Sequence, residues 1–186
     1  MRLLKIQDHD STGYAPRTRH NANSADVTIA VAIDFSTAGE RLTKSLALEG
    51  GEDRYFPIYI TEDPIRAARR LYLHMKKNDF KSINVAGNGI YTLSDNMYTQ
   101  AEVNMYLYKL LSPIHEHLGL EHIVSGGQSG VDLAGGVAAT SMDIRCQLTL
   151  PKGYKQRWED GVDRFYSKRQ IRDQVRNGVD ELRRNL

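Results

Sequence analysis

Three loops of this chain carry residue types suited to holding an anion or a ribose. Gly126-Gly127-Gln128-Ser129-Gly130 follows the apolar run His122-Ile123-Val124-Ser125 and leads into Val131-Asp132-Leu133-Ala134. A glycine run at a strand-to-helix junction turns backbone N–H groups and a helix N-terminus toward one point, which holds phosphate without a basic side chain. A tight turn that merely needs glycine is the plainer reading. Ser36-Thr37-Ala38-Gly39-Glu40 offers hydroxyl donors and a second helix N-terminus, with ordinary N-capping as its plainer reading. Gly87-Asn88-Gly89 can take positive φ and lets a ligand approach the backbone closely. The pattern Gly-x-Gly-x-x-Gly is absent, so these loops are not an ordinary dinucleotide fingerprint.

Charged residues border the same loops. Arg17 could close its planar fork over a phosphate or carboxylate, or simply be solvated. Asp34, Glu40 and Asp132 are placed to contact a ribose or activate water, with capping as the alternative. The candidate ligand contacts are therefore Arg17, Asp34, Ser36, Thr37, Gly39, Gly87, Asn88, Gly89, Gly126, Gly127, Gln128, Ser129 and Gly130, with Glu40 and Asp132 as candidate catalytic acids. His115-Glu116-His117 does not make a metal site, because residues two apart on a helix face different directions. No metal and no cofactor is expected. Trp158, Phe165 and Tyr166 could cover a base or pack under the C-terminal helix, and Tyr91 has the same ambiguity.

Such loops need strands behind them and helices in front. Residues 27 to 35 form an almost unbroken apolar run rich in β-branched residues, as expected of a strand buried on both faces of a parallel sheet. Residues 55 to 60 read as a second strand, with Pro57 favouring an edge. Residues 82 to 86, 122 to 125 and 146 to 150 complete about five strands. Helices are predicted after each: one from the Ser36–Glu40 loop, one capped by Asp63 with Pro64 in its first turn, one starting at Thr99 with Glu102 at capping-box spacing and interrupted near Pro113, and one after Gly130. Ile171, Val175, Val179 and Leu182 describe a charged final helix with one apolar stripe. Alternating strands and helices imply a three-layer α/β/α, Rossmann-like fold with a mostly parallel sheet, whose ligands bind beyond the carboxyl ends of the strands.

The 186 residues are expected to form a single domain, with an irregular segment over about 1–26 and a C-terminal helical tail over about 154–186. A net charge of +2 argues against a nucleic-acid partner, although the Arg-rich last helix keeps that reading open. One cysteine excludes a disulfide framework within the chain, and no run of about 18 apolar residues is long enough to span a membrane. A cytoplasmic location is expected, with homo-oligomerisation left open.

The stretch from Ile123 to Asp132 resembles the glycine-rich loop of the SLOG superfamily, which includes predicted molybdenum-cofactor carriers, lysine-decarboxylase-like cytokinin-activating phosphoribohydrolases and the Rossmann-like part of DNA-processing proteins. Pro151-Lys152-Gly153 with Glu159-Asp160-Gly161 resembles the carrier-like branch. So does a block with Arg17-Thr18-Arg19, Asn21, Ser24-Ala25-Asp26, Gly39 and Thr43. In carrier-like proteins the glycine-rich block comes first, and here it comes second, the order of a circular permutant. The resemblance implies binding of a nucleotide or an ADP-ribose-like ligand, as sensor or sequestering protein. Its alternative is hydrolysis of the N-glycosidic bond of a nucleoside monophosphate or related nucleotide, with Glu40 or Asp132 as acid and Arg17 on the phosphate. The relatives' proline-glycine-glycine loop with glycine-threonine and glutamate is not reproduced.

Overall fold

The computed structural model describes residues 1–186. Its six-stranded sheet comprises Leu4–Asp8 (β1), Val27–Ala32 (β2), Tyr55–Tyr59 (β3), Ser82–Gly87 (β4), His122–Ser125 (β5) and Arg145–Leu150 (β6), all parallel, in the order β1-β6-β5-β4-β2-β3. The helices are Tyr14–Asn23 (α1), Ala38–Leu48 (α2), Pro64–Asn78 (α3), Ile90–Ser94 (α4), Gln100–Leu118 (α5), Val131–Ser141 (α6) and Lys168–Arg184 (α7). A two-stranded antiparallel hairpin, Gln156–Arg157 (β7) with Asp163–Arg164 (β8), precedes α7. This is the expected three-layer α/β/α, Rossmann-like arrangement, with one strand more than expected.

Every residue of β2 is buried, which a strand covered on both faces requires. Pro57 lies on β3, the outermost strand, where its missing N–H leaves no gap in a ladder. Asp63 and Thr99 cap α3 and α5 through their side chains, Thr99 in a capping box with Glu102. Helix α5 continues through Pro113 instead of stopping. Leu110, Leu111 and Ile114 are buried around it, and that packing offsets the one backbone hydrogen bond that proline removes.

The first 26 residues are not irregular. β1 is a short edge strand contributing Leu4 and Ile6 to the core, too brief for its alternation to stand out. α1 buries Arg17, Asn21 and Ala22, so a polar helix face points inward and no apolar stripe exists to be read. Residues 154 to 167 likewise hold the β7–β8 hairpin, and the helix occupies only Lys168–Arg184. Its apolar stripe of Ile171, Val175, Val179 and Leu182 is buried as expected.

Helices α1 and α2 pack together on one face, and α3, α5, α6 and α7 on the other. Connections through α1 and α2 step one way along the sheet, those through α3, α5 and α6 step the other, as right-handed crossovers require. Between β2 and β4 the direction reverses and the helices diverge, opening a crevice at the carboxyl ends. No helix is long and apolar enough to cross a membrane.

Helix α6 closes on the sheet through small residues: a Cβ on Gly135 would stand 2.8 Å from Cβ of Val85 on β4. Gly135→Val should therefore lower stability by about 1–3 kcal/mol, with a melting temperature falling about 2–4 °C per kcal/mol. Gly39→Ala, whose added methyl meets no atom within 4 Å, should melt close to the wild type. Equal melting of the two variants would show that the α6 contact is not tight.

Candidate functional site

The β4–α4 loop holds the neighbouring loops together through one side chain. Asn88 Oδ1 accepts from the backbone N–H groups of Ile33 at 2.9 Å and Asp34 at 3.1 Å. Its Nδ2 donates to Asp34 O at 3.1 Å and Glu40 Oε1 at 3.5 Å. Its backbone N–H donates to Val31 O at 3.1 Å, and its carbonyl accepts from Val131 N at 3.2 Å. The β2–α2, β4–α4 and β5–α6 loops are thereby fixed at one rim, side by side. Because the Asn88 amide is engaged by the protein, its part is to hold the site together.

Two adjoining chambers lie there. The inner, of about 110 Å³, is lined by Tyr14, Arg17, Thr18 and Asn21 from α1, Gly39, Glu40, Leu42 and Thr43 from α2, residues 84–87 of β4, and Gly126 and Asp132. The outer, of about 390 Å³, is lined by Thr37–Glu40, Gly87–Gly89, Tyr91, Thr92, Gln128, Ser129, Arg157 and again Tyr14. Tyr14, Gly39, Glu40 and Gly87 border both.

The floor of the inner chamber is ionic. Arg17 and Asp132, buried residues from sequence-distant helices, pair at 3.2 Å between Nη1 and Oδ2. A Cβ on Gly126 would fall 1.6 Å from that Nη1 and 2.0 Å from that Oδ2, so glycine is what leaves room for the pair. Glu40, only 4% exposed, faces the same space. Burial, reinforced by the negative charge of Asp132, pushes its carboxyl up to about 8, although the Asn88 amide pulls the other way. Burial also raises Asp132, against the opposing pull of Arg17. Burial thus disfavours charge on both carboxyls, and of the two only Asp132 has a guanidinium beside it to oppose that effect.

Three buried polar atoms among the residues around the inner chamber have no hydrogen-bond partner: Arg17 Nε, Asn21 Oδ1 and Glu40 Oε2. Native proteins seldom leave such groups unsatisfied, so each calls for a partner that the fold itself does not supply. One obligate donor, one obligate acceptor and one carboxyl oxygen form a set that a hydroxylated ligand, able to donate and accept, would complete.

Of the residues picked from sequence, Arg17, Thr37, Gly39, Glu40, Gly87, Asn88, Gly89, Gly126, Gln128, Ser129 and Asp132 border the two chambers. Asp34 and Ser36 do not. They are exposed, and Asp34 Oδ1 accepts from Ser36 N at 2.7 Å, a turn in which bonds from Ser36 hold the Asp34 carboxyl below its ordinary range. Gly127 and Gly130 also lie off the lining. Each has a left-handed φ, +66° and +87°, and packing explains both: Gly127 backs onto Leu150, and Gly130 wedges against the Asn88–Ile90 backbone. Gln128 Nε2 donates to Lys155 O at 2.6 Å, and Ser129 Oγ donates to Arg157 O, so these side chains hook the β7–β8 hairpin over the loop. Tyr14, Asn84 and Arg157 were not picked out from the sequence, where nothing in their spacing marks them. Thr18, Asn21 and Thr43 entered only through resemblance.

The proton on Glu40 has a measurable consequence. Between the ordinary 4.5 and about 8 the folded chain keeps a proton that the unfolded chain has released. Stability therefore falls as pH rises through that window and levels off above it, with a slope of at most about 1.4 kcal/mol per pH unit. Glu40→Gln removes this contribution, so the wild-type melting temperature relative to the variant should decline from about pH 5 to about pH 8. Parallel profiles would mean that Glu40 is ionised in the folded protein.

Comparison with known proteins follows the same permuted order. A family model described as the circularly permutated YpsA SLOG family matches residues 2–109, from β1 into α5 and including the β2–α2 and β4–α4 loops. No curated protein and no solved structure matches the chain. The glycine-rich loop follows the matched region, as the permutation expected from its place after the β2–α2 block requires. With more than half of its residues covered, the chain belongs to the circularly permutated YpsA SLOG family.

Proposed function

We propose that this protein binds a nucleotide or nucleotide-derived, ADP-ribose-like ligand in the paired chambers, as a sensor or sequestering protein. Membership of a SLOG family points to nucleotide-related ligand binding or processing. The observation that carries the reading for this chain is the set of unpartnered buried atoms Arg17 Nε, Asn21 Oδ1 and Glu40 Oε2 around one small chamber. Leaving them unsatisfied costs about 1–3 kcal/mol each, and a ribose ring supplies vicinal hydroxyls that donate and accept. The inner chamber, at about 110 Å³, suits a group no larger than a sugar ring, and the outer, at about 390 Å³, is of a size for the remainder of a nucleotide.

The proton on Glu40 favours a second reading, hydrolysis of an N-glycosidic bond. A carboxylic acid poised near neutrality beside a second carboxyl that is paired with a guanidinium is an arrangement suited to acid–base work. In that reaction the bond between C1′ and the base nitrogen breaks, Glu40 protonates the departing base, and water deprotonated by Asp132 supplies the new C1′–O bond.

Thermal melts against AMP, ADP-ribose, NAD and adenosine test the first reading. A ligand present at about 100 times its Kd stabilises by about 2.7 kcal/mol, an upward shift of roughly 5–10 °C. Asn21→Ala should lose most of that shift. If no nucleotide moves the wild-type melt, the binding reading falls. Chromatography of free base decides the second: turnover expected in the wild type should vanish in Glu40→Gln while binding persists. Unchanged base release in both Glu40→Gln and Asp132→Asn would overturn it.

A further inference from the structure

The two chambers differ in charge, and the difference orients whatever they hold. In the inner one the Arg17 guanidinium is paired with the Asp132 carboxyl at 3.2 Å, and burial pushes the Glu40 carboxyl toward its neutral form, so no free cation is offered to an anion there. The outer one is bordered by Arg157. Its Nε donates to Asp163 Oδ1 at 2.9 Å across the β7–β8 hairpin, and its two terminal nitrogens make no hydrogen bond within the chain. Lys155 Nζ lies 3.5 Å from the other Asp163 oxygen and 4.8 Å from the centre of the Tyr14 ring. Two cations thus share one carboxylate at the mouth, leaving a positive excess. The N-terminus of α2 borders the same chamber through Thr37, Ala38 and Gly39. Helix dipoles place partial positive charge there, and at Gly39 an added Cβ would meet nothing within 4 Å, so the approach to the backbone is open. Glu40, buried and with Oε2 unpartnered, stands between this wall and the inner chamber.

We propose that the outer chamber is an anion subsite in which Arg157, with the N-terminus of α2 on the same lining, holds a phosphate or pyrophosphate of the ligand, while the neutral hydroxylated part enters the inner chamber. This rests on the nucleotide-binding reading above and adds an orientation and a selecting residue. The guanidinium is suited to the task because Asp163 engages its Nε side and leaves the terminal pair of N–H groups for bidentate contact with phosphate oxygens. Asp163 is accordingly a positioning residue: it touches no ligand and sets the direction of the Arg157 fork. Hooks from Gln128 and Ser129 to the carbonyls of Lys155 and Arg157 tie the hairpin to the glycine-rich loop, so phosphate selection is built by a segment outside residues 2–109.

The test is calorimetric titration of wild type, Arg157→Gln, Arg157→Lys and Asp163→Asn with ADP-ribose, AMP and adenosine. The expected result is that the wild type prefers AMP to adenosine by at least tenfold. Arg157→Gln should weaken AMP and ADP-ribose by about 10- to 100-fold, with adenosine changed less than threefold, a loss of the size seen for charge-assisted bonds. Arg157→Lys should recover part of the preference, and Asp163→Asn should lower it without abolishing adenosine binding. Arg157→Gln that melts like the wild type and binds AMP as tightly would overturn the anion subsite while leaving the nucleotide reading standing. Weakening of AMP and adenosine by the same factor would also overturn it, since that pattern marks a structural loss. Failure of the wild type to bind any of the three would remove the nucleotide reading and the subsite with it.

Discussion

The site depends on Asn88. Its amide donates and accepts at once, as no apolar or singly functional side chain of that size can, and so ties the end of β2 to the start of α2 and orients Glu40. Through its main chain it links the same loop to β2 and to the start of α6. The close approach that this needs is visible at Gly87, where a Cβ would fall 2.0 Å from Val31 O. Parallel strands place loops at one rim, but their relative depth is unspecified by the sheet. Here a network of hydrogen bonds supplies it.

Around that staple the charges are arranged with little slack. The ion pair between Arg17 and Asp132 occupies the volume that any side chain at Gly126 would need. Such a pair gains little net stability, because desolvation consumes most of the Coulombic attraction. Its consequence is local: Asp132 adds to the burial that pushes the neighbouring Glu40 carboxyl upward. Carboxyl groups in one buried space with different protonation are a recurrent basis for acid–base chemistry and also for recognition of hydroxyls. The geometry is compatible with both, and binding needs fewer of its features than turnover does.

The glycine-rich loop takes on a different meaning once its surroundings are known. Gly127 and Gly130 satisfy backbone requirements, Gly126 makes room for the ion pair, and the polar side chains of Gln128 and Ser129 hold the hairpin. Gln156 Nε2, buried, donates to Gly127 O at 2.7 Å and completes that cover. The loop therefore acts as a junction between chambers and hairpin, and much of the chemistry faces it from α1, α2 and β7.

The parallel α/β layering was legible in the sequence because buried strands such as Val27–Ala32 are written as apolar runs, while α3 and α5 carry their caps in adjacent residues. The glycine and hydroxyl loops were legible for the same reason: their chemistry is local. The permuted order of blocks was equally a property of the chain itself. Helix α1 was not legible, since it buries Arg17 and Asn21 where a stripe of apolar residues would have announced it. Nor was the pairing of Arg17 with Asp132 across 115 positions, the burial that raises the Glu40 carboxyl, or the arrival of Arg157 at the mouth. Each of these is a relation between residues distant in the chain, created by burial and close approach, and only the folded sheet brings the partners within reach of one another.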